Sequence, residues 1–191
     1  NGPEIPIIDG SSEPFVDIIE KTGVLEQDAA KAWYTIDTNI SFYDEKKRVE
    51  MTALPATNYE ITTLIDFNSP VLGTQHASLK SLRDFKNEIA PCRTFCFLHE
   101  LEMLIDNNLI KGGDINNAIV IVDKAVTDEE MGRLAKAFGR AKVEVKSEGY
   151  LNNLELRFPN EPARHKLLDV VGDLALIEYP IKENKNESKN V

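Results

Sequence analysis

A helix close to the end of the chain constrains the fold more than any other segment. The stretch 162–176 begins with proline, which suits the first turn of a helix, and carries apolar residues at helical spacing. These apolar positions are Leu167, Leu168, Val170 and Val171. Because residues four apart stack on one face, His165, Asp169 and Asp173 form a polar ridge on the same helix. A core therefore holds one side of the helix, and the ridge must face a cleft or another polar surface.

The polar ridge carries residue types that bind zinc. A neutral imidazole and a carboxylate one turn apart can bind the same zinc ion (Zn2+), which makes His165 and Asp169 candidate ligands. Catalytic zinc needs three protein ligands and an open position, so the ridge supplies only part of a site. Asp173, a further turn along, is placed to orient a ligand or a catalytic imidazole. A second interpretation stays open, in which His165 caps the edge of the core and both aspartates are only solvated.

The rest of the chain mixes strand and helix signals. Alternating apolar residues predict strands in 32–42 and 59–67, joined across the polar segment 44–48, and a continuous apolar run predicts a strand at 118–122 covered on both faces. A short opening strand leads into a tight loop within 1–10. The extended segment 94–97 lies between two predicted helices. Since strands and helices do not alternate strictly, the pattern favours an α+β fold over a doubly wound sheet.

Capping residues and helical spacing predict four further helices. Ser11 or Ser12 is predicted to cap a helix that ends at Gly23. Its apolar residues lie on one face, which we expect to be buried. Thr127 and Glu130 form a capping box for a helix at 127–138. Two shorter helices are predicted at 81–89 and 100–105. The polar tail 183–191 is predicted to be disordered.

Composition excludes several classes of function. The chain has 191 residues and a formal net charge of −10, so it has no basic stripe to bind nucleic acid. No apolar run approaches the ~18 to 20 residues of a transmembrane segment, and residues 1–6 lack the features of a signal peptide. We therefore expect a cytoplasmic location. Cys92 and Cys96 are the only cysteines, and we expect both to be reduced.

Several segments carry a shared family pattern in the same order. Residues 161–174, EPARHKLLDVVGDL, contain Arg-His-Lys, an aspartate one turn on, and then a Gly-Asp pair. The other matching segments are EIPIIDGS at 4–11 with PFV at 14–16, IDFNSP at 65–70, RTFCF at 93–97 and LIKGGDINNA at 109–118. Up to about residue 177, the chain resembles the UDP-3-O-acyl-N-acetylglucosamine deacetylases, zinc-dependent enzymes of lipid A biosynthesis in Gram-negative bacteria.

This resemblance implies a particular architecture. It implies a two-layer α/β sandwich, in which a mixed or antiparallel sheet is layered against helices, with a βαβ insert around 93–122. Residues 1–30 correspond to the closing strand and helix of a first domain that is otherwise missing, and residues 31–182 to the second domain. The longer segment 123–149 is similar to the version in Bacteroidetes, where the deacetylase can be fused to a 3-hydroxyacyl-carrier-protein dehydratase.

The resemblance also implies a role for each candidate residue. His165 and Asp169 would be two of three zinc ligands, and Lys166 would contact the sugar or phosphate region of UDP-3-O-acyl-N-acetylglucosamine. Thr94 would donate its hydroxyl to the oxyanion, and Phe95 would pack near the hexosamine. Asp173 would hold a catalytic histidine in place. From the residues alone, Thr94 is equally an ordinary strand residue, and Phe95 reads as core.

The chain departs from the family pattern in two places. The family takes its third zinc ligand and its general base from the first domain, and this chain contains no such segment. The family's Gly-His pair after the signature helix is also absent, because the tail 178–191 has no histidine. His76 and His99 do not fall where the family places ligands. We therefore expect these residues alone to be inactive and to need the missing N-terminal domain as a partner.

A different class of function fits the same sequence. A chain that keeps the fold and lacks a complete metal site could be a non-catalytic module that binds an acyl-sugar nucleotide or a partner subunit. A histidine and a glutamate encoded upstream would favour the enzyme over the binding module.

Overall fold

The computed structural model describes residues 5–106, 116–177 and 179–181. Within these ranges the chain forms five α-helices and three two-stranded sheets. The helices are α1 (Glu13–Thr22), α2 (Phe85–Glu88), which continues a 3-10 turn at Leu82–Asp84, α3 (Leu98–Asp106), α4 (Asp128–Ala137) and α5 (Glu161–Ala175). The strands are β1 (Ile40–Asp44), β2 (Val49–Ala53), β3 (Ile61–Asp66), β4 (Thr74–Leu79), β5 (Phe95–Phe97) and β6 (Ile119–Ile121).

The strands pair in both antiparallel and parallel orientation. β1 pairs with β2, and β3 pairs with β4, in antiparallel hairpins. β5 pairs with β6 in parallel, with Phe95 opposite Ile119 and Phe97 opposite Ile121. A parallel pair needs a crossover connection, and α3 follows β5 directly, so this part of the chain is a βαβ unit. The α+β fold class with a βαβ insert is therefore confirmed.

The main core lies between α5 and the β3–β4 hairpin. Ala163 and Leu167 of α5 are fully buried, as are Leu79 of β4 and Ile89. β6 contributes Ile121 to the same cluster. This packing holds one face of α5 against the sheet and leaves the face with the polar ridge beside the segment that enters β5.

A second core surrounds the βαβ unit. Leu98 and Leu101 of α3 pack with Val120 of β6 and with Leu134 of α4. α4 begins with the predicted capping box, in which the Thr127 hydroxyl accepts from the Glu130 N–H and the Glu130 carboxylate accepts from the Thr127 N–H. Helix 127–138 and its cap are therefore confirmed.

Other predicted elements need correction. The predicted strand 32–42 begins only at Ile40, and the hairpin partner β2 and the strand β4 were not predicted. Residues 5–10 form coil and a turn where an opening strand was predicted. α1 ends at Gly23 as expected, but its apolar face is not buried, since Ile18 and Ile19 are each 57% exposed. The predicted break at 111–114 and the tail 183–191 lie outside the described residues.

Two further points bear on location and boundaries. In the part of the chain that the structure describes, no helix is both long and apolar enough to span a membrane. The proposed domain limits, 1–30, 31–182 and 183–191, stay predictions.

Candidate functional site

His165 is held in a defined orientation on α5. Its side chain is 12% exposed, and Nδ1 lies 3.0 Å from the backbone oxygen of Cys92. A carbonyl oxygen can only accept, so Nδ1 must donate a proton in this contact. The neutral ring then has its lone pair on Nε2, which is the form that binds a metal. The Cys92 carbonyl thus favours the tautomer whose Nε2 could bind a metal.

Asp169 presents a carboxylate to the same imidazole. Its Oδ1 lies 3.7 Å from Nε2 of His165, which is too long for a hydrogen bond. Two ligands of a tetrahedral zinc ion, each about 2.0–2.1 Å from the metal, lie roughly 3.3–3.4 Å apart, close to this separation. The other oxygen, Oδ2, accepts a hydrogen bond of 2.9 Å from Nζ of Lys166. The donor types and spacing fit two ligands of one zinc ion.

The described residues do not complete a metal site. No group of three or more His, Cys, Asp or Glu side chains suited to a metal occurs within 5–106, 116–177 and 179–181. His76 is exposed on β4, and His99 lies 3.5 Å from Asp123 and stacks on Phe97. Neither histidine forms a metal-binding group with His165 among the described residues.

Phe95 and Lys166, both candidates from the sequence, lie next to each other. Nζ of Lys166 lies 5.6 Å from the centre of the Phe95 ring. Phe67 packs edge-on against Phe95 and Phe97, with 5.7 Å between ring centres in each pair. Phe95 is half-buried, so part of its side chain faces solvent. The structure therefore brings Phe95, Lys166 and Asp169 together.

The backbone of Thr94 is fixed on both sides. Its N–H donates to the Gly10 carbonyl oxygen at 2.8 Å, and its own carbonyl accepts from the Ile119 N–H at 2.8 Å. Thr94 is half-buried and lies two residues after Cys92, whose carbonyl orients His165. The geometry thus links Thr94 and His165 through one short backbone segment.

Asp173 stands apart from the rest. It is exposed near the end of α5, and its carboxylate has no hydrogen-bond or ion-pair partner in the described part of the chain. It shares the helix face of His165 and Asp169 as the spacing predicted. The structure does not bring it into contact with either of them.

A buried ion pair beside the site was not predicted. Glu161, the first residue of α5, is fully buried and forms a salt bridge of 2.9 Å with Arg93. Arg157 joins the network, because its N–H donates to Glu161 and its guanidinium pairs with Asp9 at 2.8 Å. No local sequence pattern predicts this pair, since Arg93 and Glu161 are 68 positions apart.

Both cysteine thiols lie in surroundings that favour the neutral form. Both thiols are free. Burial raises the pKa of Cys92 to about 12 and the pKa of Cys96 to about 11. Because zinc binds thiolates, these environments disfavour the form that would coordinate a metal.

The comparison with known proteins identifies one family. The model of the family described as LpxC: UDP-3-O-acyl N-acetylglycosamine deacetylase matches residues 1–144 and 140–189. A bifunctional enzyme LpxC/FabZ from Chlorobaculum tepidum is 47% identical over 185 residues, covering 95% of this chain and 40% of that protein. The protein of the same name from Bacteroides thetaiotaomicron is 44% identical over 182 residues, with 95% and 40% covered.

The chain is also similar to relatives that are named as deacetylases alone. The UDP-3-O-acyl-N-acetylglucosamine deacetylase of Neisseria meningitidis serogroup C is 36% identical over 184 residues, covering 95% of this chain and 52% of that protein. The chain therefore spans between about two fifths and half the length of these relatives.

Proposed function

Because the chain belongs to the LpxC family of UDP-3-O-acyl N-acetylglycosamine deacetylases, we propose that it provides half of a zinc-dependent amide-hydrolysing site. The proposed reaction removes acetate from UDP-3-O-acyl-N-acetylglucosamine during lipid A biosynthesis, in the cytoplasm of a Gram-negative bacterium. The observation that carries the proposal is the pairing of His165, with its Nε2 lone pair available, and Asp169, 3.7 Å away. The family and its Bacteroidetes-like version, read from motifs, agree with the similar proteins found.

In this proposal His165 and Asp169 hold the metal. Bound zinc lowers the pKa of a water and polarises a carbonyl oxygen, which is the chemistry that amide hydrolysis needs. Cys92 keeps His165 in the ligating tautomer through the hydrogen bond to Nδ1. Lys166 holds Oδ2 of Asp169 and leaves Oδ1 directed toward His165.

Thr94, Phe95 and Lys166 act on the substrate in this scheme. The Thr94 hydroxyl donates to the oxyanion that forms at the acetamide carbonyl, and its fixed backbone spares the reorganisation that would weaken this contact. Loss of one such donor costs about 3 kcal/mol in barrier height. Phe95 packs against the hexosamine, and Lys166, directly beside the ring, attracts the anionic nucleotide part.

The remaining machinery is proposed to lie outside these 191 residues. The third zinc ligand and the general base come from an N-terminal domain in this scheme, which is supported by relatives about twice as long. The exposed carboxylate of Asp173 then orients a catalytic imidazole that this stretch does not contain. The proposal extends to a parent chain fused to a second enzyme, because several relatives are named bifunctional LpxC/FabZ enzymes.

A zinc titration tests the proposal. The full-length gene product, stripped of metal, is titrated by calorimetry beside its His165→Ala variant and the 191-residue chain. We expect tight binding by the full-length protein, and loss of that binding in the variant and in the short chain, because each has lost at least one of three ligands. Acetate release from the acylated nucleotide sugar should follow the same order.

His76→Ala serves as the matched control. This histidine is exposed on β4 and should bind no metal in the complete site. Equal loss of zinc in His76→Ala, or tight zinc binding by the short chain alone, would require a different ligand set. A full-length protein that binds the acylated nucleotide sugar but neither binds zinc nor hydrolyses the sugar would instead be a non-catalytic binding module.

A further inference from the structure

The Glu161 carboxylate accepts hydrogen bonds from two arginine residues in separate parts of the chain. It is fully buried and accepts from the Arg93 N–H at 3.0 Å, from Arg93 Nε at 2.9 Å and from Arg93 Nη2 at 3.1 Å. The Arg157 N–H donates to it at 2.6 Å. A buried carboxylate is stable only when its oxygens are satisfied in this way. Two of the four donors are backbone groups, so Glu161 fixes main-chain geometry as well as a side chain.

One peptide unit connects Glu161 to His165. The N–H of Arg93 and the carbonyl of Cys92 belong to the same planar peptide group. Glu161 holds the N–H end at 3.0 Å, and His165 Nδ1 donates to the carbonyl end at 3.0 Å. The carboxylate, the peptide and the imidazole therefore form a continuous chain of hydrogen bonds in a buried setting.

We infer that Glu161 is a positioning residue, which orients the zinc ligand His165 through the Cys92–Arg93 peptide. Ligating histidines commonly donate their second N–H to a carboxylate or a carbonyl, and that partner sets ring orientation and ligand basicity. Here a carbonyl takes the direct contact, and the carboxylate behind it polarises the peptide and fixes its plane. Glu161 also holds Arg93, the residue before Thr94, so one carboxylate fixes the main chain next to both His165 and Thr94. This inference rests on the proposed function.

Zinc affinity of the full-length gene product measures this role. Glu161→Gln removes the charge and turns an amide N–H toward a donor, so zinc should bind about 10- to 100-fold more weakly, as for other residues that support a ligand. The kcat should fall while KM for the nucleotide sugar changes little, because the hydrogen bonds of Glu161 come from Arg93 and Arg157 and not from the proposed substrate-binding residues. Zinc affinity is read with a competing chelator on metal-free protein, independently of activity.

Arg93→Lys separates positioning from stability. Lysine keeps the positive charge and the backbone N–H that Glu161 accepts, but it loses the guanidinium fork. This variant should unfold at a lower temperature than the wild type while its zinc affinity changes by less than about tenfold. Leu134→Ala, in the second core, is the control for general destabilisation and should leave zinc affinity unchanged.

A double variant covers the case in which Glu161→Gln does not fold. Glu161→Leu combined with Arg93→Met removes both buried charges, leaves no ion unpaired, and leaves the Arg93 peptide without its acceptor. It should fold and still bind zinc about 10- to 100-fold more weakly. Wild-type affinity in this variant, or an equal loss of affinity in Leu134→Ala, would overturn the positioning role.

The same series distinguishes two kinds of failure. If the wild type binds no zinc, or if His165→Ala binds it as tightly as the wild type, the proposed function fails. If His165→Ala loses zinc while the Glu161 variants keep it, only the positioning role is wrong.

Discussion

Gly10 lies where two segments of main chain meet beside the candidate site. Its φ is +80°, and a Cβ atom there would lie 1.8 Å from the backbone oxygen of Asn117. Its carbonyl also accepts from the Thr94 N–H. Gly10→Ala should therefore lower the free energy of unfolding by about 2–4 kcal/mol, from backbone strain and overpacking together. Urea unfolding followed by circular dichroism measures this change.

Gly73→Ala is the matched control for that prediction. Gly73 also has a positive φ, +60°, but a Cβ atom there would have no neighbouring atom within 4 Å. It should lose only about 1–2 kcal/mol, the cost of the left-handed backbone. Equal losses in the two variants would mean that the Asn117 contact contributes nothing.

At the scale of single residues, the sequence predicted the candidates that share one helix. His165 and Asp169 are four apart, so helical geometry alone places them side by side. Glu161 and Arg93 are 68 positions apart, and no local pattern connects them. The role of the Cys92 carbonyl was equally hidden, because any residue type has one.

Helix α5 has two faces that should respond differently to mutation. Leu167 is fully buried against the β3–β4 hairpin, whereas Asp173 is exposed. Leu167→Ala should lower the free energy of unfolding by about 2–5 kcal/mol, because it removes buried methyl groups and leaves a cavity. Asp173→Asn should change it by less than about 0.5 kcal/mol.

Substitutions on the exposed face of α5 should affect activity rather than stability. Asp173→Asn should lower kcat of the full-length gene product through its proposed contact with an imidazole, although its urea midpoint is unchanged. A large loss of stability in Asp173→Asn would show that this carboxylate has a structural partner instead.

Among the elements, the helices were easier to predict than the strands. α4 and α5 carry caps, an initial proline and apolar residues at regular spacing, all of which are local signals. β4 contains Thr74 as its only β-branched residue and alternates weakly, since only Ala77 and Leu79 are buried. Its pairing with β3 comes from tertiary packing under α5, which no short window of sequence reports.

Across the whole molecule, apolar side chains remain exposed on the β1–β2 hairpin. Ile40, Phe42, Val49 and Met51 lie on one face of it, according to the strand register, and each is about half exposed or more. A contiguous apolar surface of this kind promotes association. The 191-residue chain should therefore self-associate at micromolar concentration, as measured by sedimentation velocity.

Phe42→Ser should reduce that association. Tyr43→Ser is the control, because Tyr43 is adjacent and similarly exposed, 63% against 60%, but lies on the other face of the hairpin, where it pairs with Glu50. Equal effects of the two substitutions would exclude the Phe42 face of the hairpin as the cause.

The buried contact between Arg93 and Glu161 also sets an order of events during synthesis. The two residues are separated by 68 positions, which a ribosome translating 5–20 residues per second covers in roughly 3–14 s. Throughout that interval the segment of Cys92 and Thr94 has been made, while the carboxylate that anchors it and the imidazole that it orients have not. A nascent chain can therefore complete this half of the site only after α5 has left the exit tunnel.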